Sequence, residues 1–159
     1  MTRTLLSGGR VFDGTGSPPR QADVLVEDGR FLEVGPGRDG DEAVDVGGRH
    51  LLPGLFDCHT HVTLSHINLL GMLQAPFSYR FFETVRNLAA TLAAGITTVR
   101  AATTSSAAEL LGVAGELGTL APGRRADVVV VDGDPFELAT LPDRIAAVIK
   151  DGRLVAGHV

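Results

Sequence analysis

Two histidines one residue apart, His59 and His61, are the side chains whose type and spacing best suit chemistry in this sequence. On an extended strand, positions two apart share one face, so the two imidazoles aim at the same point. Neutral imidazoles placed that way can hold one Zn²⁺ or similar ion. Paired histidines also occur on ordinary surfaces, so context has to decide. Here the run Pro53-Gly54-Leu55-Phe56-Asp57-Cys58 precedes them, a Pro-Gly opening followed by an apolar segment. That places the pair at the C-terminal end of a buried strand.

The other candidates are weaker. His66 lies five residues past His61 and is a conceivable third ligand, though a solvent-facing loop histidine is the plainer reading. A catalytic zinc wants three protein ligands, and two imidazoles alone hold metal weakly. His50 precedes the strand, and His158 is next to the C-terminus, where disorder is the default. Cys58 reads as a small core residue, since nothing nearby would lower its pKa. Gly14-Thr15-Gly16 has the look of a phosphate loop, but Pro18-Pro19 follows and forbids the helix such a loop needs.

The elements that must carry these residues are of two kinds. Near the N-terminus, Ala22 to Glu27 alternates in period two, Asp28-Gly29 turns the chain, and Arg30 to Val34 returns. Near the C-terminus, Ile145 to Lys150, Asp151-Gly152 and Arg153 to Ala156 repeat that hairpin design. Ala126 to Asp132 is a further strand, entered through Pro122-Gly123, a pair suited to a type II turn. In the middle the pattern changes to strand, helix, strand. Tyr79 to Ala94 is helical, with Phe81, Phe82, Val85, Leu88, Ala89 and Leu92 on one face, which reads as core, and with Gly95 to end it. Ile96 to Val99 is β-branched and extended. Such an order predicts a right-handed parallel unit. Ser106-Ala107-Ala108-Glu109 then opens a short helix closed by Gly112. The ends are therefore all-β and the middle α/β.

Bulk properties exclude several functions. The chain has 159 residues, 44% of them apolar, enough for one domain with a real core. A net charge of −5 repels phosphate backbones, so nucleic acid is not expected as a partner. No apolar run is long enough to span a membrane, and the N-terminus has no signal-peptide core. With Cys58 the only cysteine, no internal disulfide can form, and a cytoplasmic location is expected.

The segment Pro53-Gly54-Leu55-Phe56-Asp57-Cys58-His59-Thr60-His61 resembles the first barrel strand of the metal-dependent amidohydrolase superfamily. Leu92-Ala93-Ala94-Gly95-Ile96-Thr97-Thr98-Val99-Arg100 is similar to that family's second strand. Ala107 to Gly112 and Gly118 to Asp127 resemble its last barrel helix and the return to its β domain, and Val148 to Arg153 its closing hairpin. The imidazolonepropionase-like and Xaa-Pro-dipeptidase-like subgroups are the nearest match. The resemblance implies a barrel whose mouth holds one or two divalent metals, in first place Zn. His59 and His61 would be ligands, and a lysine, two further histidines and an aspartate would come from later strands. It also implies hydrolysis of C–N bonds in cyclic amides or dipeptides, through a metal-activated water.

The resemblance is interrupted. At Arg100 the family continues with aspartate, whereas this chain has Ala101 and proceeds as if from the last barrel helix. A complete barrel needs about 250 residues, so the stretch 53–116 has room for about two of its eight units. Lys150, the only lysine, belongs to the closing hairpin and does not match the bridging position. The expected architecture is therefore α/β plus all-β. A composite β-sandwich from residues 1–52 and 117–159 would carry a truncated (β/α) barrel remnant, 53–116, comprising the first strand, first helix, second strand and last helix. The exposed barrel edges favour self-association. Expected activity ranges from weak hydrolysis to none, with a non-catalytic β-sandwich binding or assembly module, or a deletion product without function, as alternatives.

Overall fold

The computed structural model describes residues 2–63, 65, 68–101, 115–137 and 139–158. His66 and the short helix expected over Ser106–Gly112 lie outside them.

Most strands join one eight-stranded mixed sheet. It comprises β1 (Thr4–Val11), β2 (Arg20–Glu27), β3 (Arg30–Gly35), β4 (Glu42–Asp45), β5 (His50–Pro53), β8 (Val128–Val131), β9 (Ile145–Lys150) and β10 (Arg153–Gly157). Its order is β10-β9-β8-β5-β1-β2-β3, with β4 parallel to β1. Strands from both ends of the chain thus share one hydrogen-bonded layer. The seam between them is the antiparallel pair β5–β8, with His50 opposite Val131 and Pro53 opposite Val128.

Both expected hairpins are present, and their turns show why. Asp28 and Gly29 have φ of 49° and 75°, and Asp151 and Gly152 have 49° and 74°. Two successive positive φ values define the turn whose twist matches a hairpin, and Asp-Gly tolerates them best. The Ala121–Arg124 turn also forms as expected, with Gly123 at φ 82° and Arg124 N donating to Ala121 O.

The core lies within this sheet. Leu6, Val11, Val24, Val26, Phe31, Leu51, Val128, Val130, Ala147 and Ile149 form one buried cluster, joined by Val46, Leu120 and Ala126. Along β2, β8 and β9 these residues alternate, as one inward face of pleated strands requires, and in β1 a register shift between Leu6 and Gly9 changes the phase. All four valines of β8 are nonetheless buried, because β8 is central and covered on both faces.

The remaining two strands, β6 (Leu55–Thr60) and β7 (Ile96–Ala101), form a separate parallel pair. Helices α1 (Leu69–Gln74) and α2 (Phe77–Ala93) connect them. The expected strand, helix, strand unit is therefore present. Gly95 ends α2 at φ 77°, its N–H donating to Leu92 O. A side chain there would also press on Val129 of β8. The unit joins the large sheet through Gly54 N, which donates to Asp127 O. A Cβ on Gly54 would collide with the Thr97 side chain, so only glycine lets the two layers approach.

Three expectations change. β6 is half-buried rather than buried, because β7 is its one strand neighbour among the described residues. The apolar stripe of α2 is not core: Phe81, Phe82, Val85 and Leu88 are exposed, and the helix turns Arg80, Thr84, Asn87 and Thr91 inward instead. The C-terminus is tied down, since His158 N donates to Ala146 O beyond the β9–β10 hairpin. Among the described residues, no helix is long and apolar enough to cross a membrane.

Candidate metal centre

His59 and Thr60 close β6, and His61 is the first residue beyond it. The ladder with β7 is irregular between Asp57 and Thr60, then resumes where Thr60 meets Ala101. An irregularity of this kind re-aims side chains at the end of a strand. His61 is exposed and borders an open cleft of about 390 Å³, together with Thr60, Val62, Ser65, Arg86, Asn87, Ala90 and Thr91. The polar stripe of α2 forms one wall of that cleft.

Asn87 fixes the loop that carries His61. Its Nδ2 donates to Val62 O and to Ser65 Oγ, both at 3.0 Å. One helical side chain thereby fastens both ends of the turn that follows the histidine pair. Sequence reading passed over Asn87, because only the fold brings it beside a loop 25 residues away.

The remaining ionisable candidates serve elsewhere. His50 sits on β5, where its Nδ1 lies 2.8 Å from Gly133 O, bracing the loop after β8. Cys58 is a half-buried free thiol in β6. Lys150 places its Nζ 2.7 Å from Asp127 Oδ2 and 3.8 Å from Asp151 Oδ2. It is thus engaged in the β domain, as its place in the closing hairpin suggested.

Those ion pairs belong to a charged junction that the sequence did not reveal. Asp127 is buried, and its Oδ1 accepts the Asp151 N–H at 2.9 Å. Arg125 holds Asp151 Oδ1 through Nε at 2.7 Å. The hydrogen bond to Asp151 and its charge raise the Arg125 pKa above its ordinary range. Every member has a charged partner, so the junction is structural.

The donor set does not fit a complete metal centre. Among the described residues, no group of three or more His, Cys, Asp or Glu side chains converges on one point. Two imidazoles are at most half of a tetrahedral set, and they leave metal affinity and water activation weak. No chemical step can be derived through a metal from the residues present.

Comparison with known proteins gives a consistent family signal over short stretches. The profile of the amidohydrolase family matches residues 92–156. An adenine deaminase of Dehalococcoides mccartyi (strain CBDB1) is 34% identical over 84 residues, which cover 53% of this chain and 15% of that protein. A dihydroorotase of Geobacter sp. (strain M21) is 43% identical over 61 residues, covering 36% and 14%. Among solved structures, a prolidase complexed with N-methylphosphonate-L-proline superposes with a TM-score of 0.58 at 30% identity, over 76% of this chain and 31% of that one. The matched region thus spans about one seventh of these curated relatives and under a third of the solved chain.

Proposed function

Because the chain belongs to the amidohydrolase superfamily, we propose that His59 and His61 are the first two ligands of a divalent-metal site. Among the described residues no third ligand joins them, so hydrolysis of C–N bonds by this chain on its own is weak or nil. The observation that supports the reading is position. The pair stands at the C-terminal end of β6, inside a parallel β6–α2–β7 unit. Barrels of parallel strands carry their chemistry at that end.

The domain reading follows the same division. Residues 1–52 and 117–159 are taken as one composite β-sandwich, and 53–116 as about two units of an eight-unit barrel. What supports the composite part of this reading, though not its sandwich form, is that β1–β5 share one sheet with β8–β10, while β6 and β7 pair apart from it. Zn²⁺ is the metal that two imidazoles suit best. The similar adenine deaminase, dihydroorotase and prolidase point toward a cyclic amide, an amidine or a dipeptide as the substrate class of an intact site.

A second reading has one observation in its favour. Among the described residues, the buried apolar cluster draws its members from β1, β2, β3, β5, β8, β9 and the segments joining them, and none from β6, β7 or α2. A β module that folds and binds without catalysis would have that distribution.

Metal content decides between the readings. Elemental analysis of protein purified without chelator, then dialysed, is expected to show far less than one metal per chain. Added Zn²⁺ should bind weakly, and His61→Ala should abolish that binding. One or two metals per chain surviving dialysis would overturn the assignment of a partial site. Zn²⁺ binding that His61→Ala leaves unchanged would overturn the ligand assignment and favour the non-catalytic module.

A further inference from the structure

Helix α2 is docked with its polar stripe inward. Arg80, Glu83, Thr84, Asn87 and Thr91, at a spacing that keeps them on one side, are all half-buried. The other side carries Phe82, Val85 and Leu88, which are 74%, 66% and 43% exposed, with Tyr79 at the margin. β7, β9 and β10 lie against this helix. An amphipathic helix normally buries its apolar stripe, so this orientation needs a cause.

We infer that a second copy of this chain covers the stripe, through antiparallel pairing of the two α2 helices. Spacing is the first reason. Phe81, Val85, Leu88 and Leu92 follow each other at intervals of four, three and four, the seam that two helices share. Charge is the second. The seam itself carries no charge, and its outward flank is Phe82 and Ala89, so two copies can close without opposing like charges. Arg80, Glu83 and Arg86 all lie off it. Area is the third. The exposed parts of Phe81, Phe82, Val85 and Leu88 come to something on the order of 400 Å², given that an aromatic side chain buries about 150–250 Å². That is the apolar centre of a standard interface of about 800 Å² per partner. It is also a large patch for a lone monomer to leave in water. The contact lies on the helix, and not on the strand edges that the sequence favoured. It is independent of the metal ligands.

Antiparallel pairing about a two-fold axis near the middle of the seam sets Val85 against Leu88 of the partner subunit. That contact supplies the test. Sedimentation velocity of the full chain up to about 100 µM should show a species of twice 16.6 kDa. Val85→Glu and Leu88→Lys change exposed side chains, so each variant should keep the wild-type circular dichroism. Each alone should weaken dimerisation by about tenfold or more. An equimolar mixture of the two should restore the dimer, because the introduced charges then face one another. Val99→Lys, on the exposed part of β7, should leave the dimer unchanged. A wild-type chain that stays monomeric, or that binds phosphatidylcholine vesicles as a monomer, would overturn the inference. So would a mixture that fails to re-form the dimer, or a dimer that Val99→Lys dissociates and Val85→Glu does not.

Discussion

Lys150 Nζ donates to Asp127 Oδ2 at 2.7 Å, and Asp127 is only 4% exposed. The pair links β9 to the segment entering β8, and Asp127 Oδ1 accepts the Asp151 N–H as well. A buried carboxylate so placed depends on its cation, whereas the lysine side chain keeps 26% exposure and a second carboxylate 3.8 Å away. The two halves of the pair should therefore respond unequally. Lys150→Met leaves the charge buried with a backbone donor and should cost about 3 kcal/mol, while Asp127→Asn should cost about 1.5 kcal/mol. Urea denaturation of both variants checks the order. Equal losses, or a larger loss for Asp127→Asn, would show that the carboxylate does not depend on Lys150.

The two Asp-Gly turns are packed on each other, which sets their tolerance apart from that of other glycines. A Cβ on Gly152 would stand 2.9 Å from Val26 Cγ1 and 3.2 Å from Gly29 Cα. Gly16 has a similar positive φ, but a Cβ there would meet nothing within 4 Å. Gly16→Ala should therefore cost only backbone strain, about 1 kcal/mol, and Gly152→Ala that strain plus displacement of the opposite hairpin, about 3 kcal/mol. Thermal midpoints of the two variants test this. If they coincide, the contact between the turns contributes nothing.

These contacts mark where sequence reading succeeds. Asp28-Gly29 and Asp151-Gly152 announce their hairpins locally, because two residues suffice to fix a turn of that type. Gly95 announces the end of α2 in the same way. Direction is a different matter. Periodicity in α2 shows that Phe81, Phe82, Val85 and Leu88 share a stripe, but not which side of the helix faces the sheet. The Asp127–Lys150 pair spans 23 residues and depends on the β8–β9 register. The place of the histidine pair at the end of a strand was legible from the flanking sequence, whereas Asn87, which tethers its loop, becomes visible only once α2 is docked.

Acid should weaken the fold through two carboxylates. The Asp41 carboxylate accepts the Arg3 N–H at 2.8 Å and pairs with the Arg3 guanidinium, which together lower its pKa below the ordinary 3.8. The Thr15 hydroxyl and backbone N–H lower Asp13 in the same way. In each case the unfolded chain takes up the proton first. The stabilisation is complete above the ordinary carboxylate value and is lost as pH falls through the lowered folded value. Thermal midpoints measured from about pH 6 down to pH 2 should fall most steeply below about pH 4. Asp41→Asn should lower the midpoint at neutral pH and make the acid decline shallower. A decline of unchanged steepness in that variant would remove Asp41 from the account.

Asn87 offers a test of the candidate site that requires no metal. Its amide donates to Val62 O and Ser65 Oγ, so one side chain holds both ends of the turn after His61. Each bond contributes about 1 kcal/mol to local order. Asn87→Ala removes both donors from a half-buried position and leaves no buried charge behind. The stability of the large sheet should change little, because its core lies elsewhere. Opening of the loop should become easier by about 1.4 kcal/mol or more, which is a tenfold or greater rise in amide exchange around residues 61–65. Hydrogen exchange followed by mass spectrometry reads both regions in one experiment. Faster exchange confined to the loop supports the tether. Unchanged exchange there would mean that other contacts fix the loop, and His61 would then be positioned without help from α2.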